Sequence, residues 1–117
     1  MMIKKVFTLT TGSVDCKGDI ILPGAMKLME GKPLRIFDNF DASKQLGIVT
    51  DLKTVGNDCI ATGMFNEDPA GLYPAVGFTA IKYHENAHGG RTFDEIDLWC
   101  IGITPAPNAD PNIKPIS

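Results

Sequence analysis

Two histidines, His84 and His88, stand four apart in Y-H-E-N-A-H, the most ligand-like spacing in the chain. Residues i and i+4 share a face only in a helix, where such a pair can hold a metal ion. Gly89-Gly90 follows at once and a strand-like run precedes, so a solvated pair in a loop is expected. Asp15, Asp19, Asp38 and Asp41 are the carboxylates available for acid–base work. They fall in loop-like stretches, where Asp caps or turns the chain, and nothing sets an acid apart from a base among them. Of the cysteines Cys16, Cys59 and Cys100, two lie in apolar, strand-like runs. A reactive thiol needs exposure and a basic neighbour, so reduced, inert thiols in a reducing compartment are expected. The only serines are Ser13, Ser43 and Ser117, and none sits in a G-x-S-x-G elbow. No Gly-rich phosphate loop is present, and no cofactor or metal is expected.

The elements that would position these groups follow from length and pattern. At 117 residues the chain fits one domain. Hydrophobic residues make 44% and charged residues 21%, a globular rather than a disordered balance. The net charge is −3 and Lys4-Lys5 is the longest basic run, which gives nucleic acid or an anionic membrane no support as partners. The start, M-M-I-K-K-V-F-T-L-T, lacks the apolar core of a signal peptide, and no run approaches the roughly 20 apolar residues of a membrane span.

Period-two alternation predicts strands at 3–11, 34–37, 46–53, 59–65, 75–83 and 91–104, with a short extended piece at 20–22. A-M-K-L-M-E, 25–30, is the best local helix former, stopped by Gly31 and Pro33. D-N-F-D-A-S-K-Q, 38–45, reads as a polar loop. The expected fold is mainly β: a small antiparallel six- to seven-stranded barrel or sandwich with one or two short helices. In 91–104 the residues Phe93, Glu95, Asp97, Trp99, Ile101 and Ile103 alternate to one side. From Leu98 both faces are apolar, which predicts a covered central strand with the only Trp packed inside. Pro105, Pro107, Pro111 and Pro115 end the sheet near Thr104, so a barrel domain over 1–104 and an extended tail over 105–117 are expected.

Four pieces in this order carry a family resemblance. They are D-C-K-G-D-I-I-L-P-G-A-M at 15–26, N-F-D-A-S-K-Q-L-G-I-V at 39–49, A-V-G-F at 75–78 and E-I-D-L-W-C-I-G-I-T-P-A-P-N-A-D at 95–110. Together they resemble the motifs of the prohead (head-maturation) proteases of tailed phages, with altered proline spacing in the last. The resemblance implies that family's β-barrel. It also implies a serine nucleophile and a histidine base, which this chain lacks: the histidine position falls on Phe40 and the serine on Ala75. The family's acidic residue falls on Cys100 and its following serine on Gly102. The segment between Phe65 and Ala75 is too short for the family's helix.

The resemblance therefore implies the fold without the activity: a non-enzymatic virion protein that binds the major capsid protein, made in the host cytoplasm and carried on the capsid. A homo-oligomer, dimer or trimer, is expected from shell symmetry. Ile3, Lys4 and Lys5 at one end, and Pro105, Pro107, Asn108, Pro111, Ile113 and Pro115 at the other, are the candidate partner contacts, acting as extended arms. The alternatives are a divergent protease using Cys100 or Ser43 with His84 or His88, and an assembly factor or protease inhibitor inside the prohead.

Overall fold

A computed structural model describes residues 2–28 and 31–117. Seven strands form one curled sheet: β1 (Ile3–Thr10), β2 (Ile20–Ile21), β3 (Leu34–Asp38), β4 (Asp41–Val55), β5 (Asp58–Phe65), β6 (Tyr73–Glu85) and β7 (Arg91–Thr104). Their order is β1-β5-β4-β3-β7-β2, with β6 on the other side of β7. The sheet curls into a half-barrel. It is mainly antiparallel but mixed, because β2 and β3 both run parallel to β7. Short links join β4 to β5 and β6 to β7, and these adjacent strands pair antiparallel.

The core lies on the concave side. In β5 the alternation is regular, with Cys59, Ala61 and Phe65 fully buried. They meet Phe7 and Leu9 of β1, Leu34 and Ile36 of β3, and Ile101 and Ile103 of β7. Each of the Leu, Ile and Phe side chains contributes about 1.5–3 kcal/mol by leaving water.

The alternation of β7 is broken twice. Glu95 pairs with Lys82 but the next pair is Phe93 with Tyr83, which leaves Asp94 as an extra residue. Leu98 pairs with Phe78 and Cys100 with Gly77, which leaves Trp99 extra. Each bulge shifts the phase by one residue. The buried set is consequently Phe93, Ile96, Leu98, Ile101 and Ile103, not a single parity. Trp99 is turned away from the core and is 60% exposed, contrary to the expectation from even alternation.

Two further expectations are corrected. No α-helix forms over 25–28: Pro23–Ala25 makes one 3-10 turn and Met26 is already extended. A six-residue helix has too few bonds to offset its nucleation cost; Met29 and Glu30 of that stretch lie outside the described residues. Residues 41–45 of the expected polar loop belong to β4.

The segment 105–117 is irregular but does not project as an arm. Ile113 and Ile116 are buried, and Ile116 exchanges backbone bonds with Gly71 and Leu72. The Asn108 amide donates to the carbonyl of Pro74 at 2.9 Å. At the other end Ile3, Lys4 and Lys5 pair with Phe65, Met64 and Gly63, and Lys5 Nζ donates to the Ser117 carbonyl. Ile113, Asn108 and the β1 residues therefore hold the fold. Of the tail positions named as contacts, Pro105, Pro107, Pro111 and Pro115 remain exposed.

Candidate functional site

The four positions singled out on 40, 75, 100 and 102 come together on one patch. Ala75 pairs with Gly102 and Gly77 with Cys100 across the β6–β7 ladder. Alternation puts these four on the face opposite the core. Phe40 reaches them from the turn between β3 and β4. Asp38 pairs with Asp41, so Asn39 and Phe40 form a two-residue hairpin loop. Their φ values are +49° and +62°, the left-handed pair that a type I′ turn requires. Asn is at home there, but the second position favours Gly. A Phe in that place costs about 1–2 kcal/mol.

The ring of Phe40 lies directly on Gly102. A Cβ built at Gly102 would stand 2.4–2.6 Å from three ring carbons, so only glycine leaves room for it. A Cβ at Gly77 would meet the ring at 3.4 Å and the Cys100 sulfur at 2.8 Å. The turn is held down by the Asn39 N–H, which donates to the Ile103 carbonyl at 2.9 Å. The patch is thus an aromatic ring on a glycine floor, with a thiol beside it. Burial pushes the Cys100 thiol above its ordinary pKa, and Cys59 up to about 11. Both are protonated at neutral pH.

The other reactive residues lie elsewhere. His84 sits seven residues beyond Gly77 on β6, roughly 20 Å along the strand from Cys100. Its Nδ1 is 2.9 Å from an Asp94 carboxylate oxygen. His88 lies in the β6–β7 turn, where its N–H donates to the Asn86 side chain. The Ser43 hydroxyl donates to Asp41 at 2.6 Å, and that bond holds the Asp41 carboxyl below its usual pKa. Among the described residues no three His, Cys, Asp or Glu side chains converge as a metal site would require. Among the described residues neither His84 nor His88 hydrogen-bonds to Cys100 or to Ser43.

The D-C-K-G-D stretch has a structural task. One Asp15 oxygen accepts from the N–H groups of Lys17 and Asp19, and Asp19 accepts from the Arg91 N–H at 2.9 Å. Gly18, at φ +83°, lies against the β6–β7 turn; a Cβ on it would stand 2.5 Å from the His88 carbonyl oxygen. Asn86 donates to the Gly18 carbonyl. This clamp fixes the far end of the β6–β7 hairpin.

Between the clamp and the tail lies a groove of about 390 Å³ that sequence reasoning did not find. Phe40, Ala75, Val76 and Phe78 line it, together with Leu9 and Thr10 of β1. It arises because the sheet curls without closing: β1 and β6 approach but do not pair. Such a gap depends on the curvature of the whole sheet, which no local pattern encodes.

No family model, curated protein or solved structure matches the chain.

Proposed function

We propose that this chain is a non-enzymatic structural protein of a tailed-phage virion. It acts as a decoration, or cement, protein that binds the shell of major capsid protein and stabilises it. The observation that carries this reading is the patch at Phe40, Ala75, Cys100 and Gly102. Four motif positions from three separate stretches of the chain meet in space, as a former catalytic centre would, yet they hold a phenyl ring, a methyl group, a protonated thiol and a bare backbone. None of these can act as a general base, and the alanine offers no nucleophile. A scaffold that keeps its site geometry without the chemistry is suited to binding. The exposed prolines 105, 107, 111 and 115 and the exposed Trp99 are among the surfaces open to shell contact.

Imaging of purified virions tests this reading. Density for the chain on the shell, and a lower disruption temperature for shells stripped of it, are expected. Absence of the chain from mature particles, with presence in proheads, would make it an assembly factor instead. Specific cleavage of scaffold or capsid protein by the purified chain would overturn the non-enzymatic reading.

A further inference from the structure

Among the described residues strand β6 pairs with β7 alone, and its other edge faces the groove. At the start of that edge the fold protects itself. Gly71 and Leu72 bond to Ile116, and Pro74 accepts from Asn108. From Ala75 to Ala80, among the described residues, no backbone group bonds on the groove side. The six residues A-V-G-F-T-A carry no charge and no proline, the usual guards of a free edge. Val76 and Phe78 turn toward the core side and Phe40 stands over the opposite face, so both sides of an added strand would touch apolar surface.

A second observation is independent of the edge. Phe40 is held at φ +62° and keeps 42% of its surface exposed at the groove. A bulky residue in the left-handed region opposes folding, and the partial burial of its ring does little more than balance that cost. The strain is understood if the ring serves as a contact wall for something that enters the groove.

The described terminal segments are engaged elsewhere. The first strand is paired with β5, and the last residues are bonded to Leu72 and Lys5. The charge of the groove says more. Asp15, Asp19 and Asp110 line it against the single Lys17, which favours a cationic guest. We propose that the groove takes an extended segment of a partner protein, with alternating apolar residues and a basic flank, added as a further strand on β6. The inference deepens the function proposed above, and only the identity of the partner, a segment of the shell protein, rests on that reading. A strand added to β6 would lie about 4.8 Å from it, on the edge that β1 approaches without pairing.

The test uses the full chain, isotopically labelled, and a blocked peptide of alternating valine and threonine with a lysine at each end. Amide shifts and roughly tenfold slower hydrogen exchange are expected within residues 75–80, weakening as salt rises. N-methylation of one alternate set of peptide residues should abolish binding, and of the other set should leave it within about twofold. Phe40→Gly should fold with a similar melting temperature and bind about tenfold more weakly. Shifts absent from 75–80, equal losses from both methylated sets, or unchanged affinity in Phe40→Gly would each overturn the proposal. So would a concentration-dependent dimer that protects 75–80 without peptide, which would assign the edge to a second copy. Peptide binding with no shell binding would sink the decoration reading and leave the groove standing. Shell binding with no peptide binding would do the reverse.

Discussion

Gly18 and Phe40 occupy the same kind of backbone and differ in how the residue suits it. Both have positive φ, +83° and +62°, and both press on the β6–β7 hairpin at close range. At Gly18 the residue is the one the backbone demands, and the nearest atoms an added Cβ would meet are all backbone. At Phe40 the residue opposes its backbone, and the glycine lies in the partner instead, at Gly102. The first is therefore a device for stability. The second keeps a side chain whose packing about balances its strain, so stability alone does not require it. Gly18→Ala breaks the first device outright: its Cβ would stand 2.5 Å from a carbonyl oxygen that cannot move without the turn. A loss of about 2–4 kcal/mol is expected from the left-handed strain plus the clash, read as a lower midpoint in chemical denaturation.

Gly102→Ala probes the second device, and the neighbour there is a ring that can swing away. A cost of about 1 kcal/mol is expected, with Phe40 displaced toward solvent. In a Phe40→Gly background the same change should cost close to nothing, so the double-mutant cycle returns a coupling of about 1 kcal/mol. A cycle without coupling would mean that the ring and the glycine floor are not matched.

Replacing Phe40 itself separates strain from contact. Phe40→Ala loses the ring and keeps a side chain in the left-handed region. Phe40→Gly loses the ring and relieves the strain. The glycine variant should be the more stable of the two by about 1 kcal/mol, and within about 0.5 kcal/mol of the parent chain. Equal stabilities would show that the turn relaxes without cost, and would remove the strain argument for a binding role.

The sequence shows the strands well and the site poorly, for reasons visible in single residues. β5 alternates without error because no bulge interrupts it, and Cys59, Ala61 and Phe65 are readable as core. Trp99 was misleading because one extra residue in β7 reverses the face of everything beyond it, and a bulge leaves no composition signal. The turn at 39–40 hid inside a polar stretch because Phe stands where Gly marks such turns. Ile113 and Ile116 were obscured by the prolines around them, although a proline-rich chain can still dock apolar residues. The meeting of Phe40, Ala75 and Gly102 came into view through the resemblance, since the three are 27 or more residues apart.

Trp99 supplies the unstrained counterpart to Phe40. Both are large aromatics on the side away from the core, exposed by 60% and 42%. Trp99, however, has an ordinary backbone and reaches solvent because a bulge turns it out. Its removal costs the fold little: Trp99→Ala should shift stability by less than about 0.5 kcal/mol. An exposed indole that contributes so little to folding is open to a second use, since Trp is among the residues that dominate protein contacts. If the shell binds through this face, Trp99→Ala should weaken shell binding and leave the valine–threonine peptide unaffected, while Phe40→Gly should weaken the peptide. Equal effects of both variants on both ligands would merge the two surfaces into one and end the distinction between them.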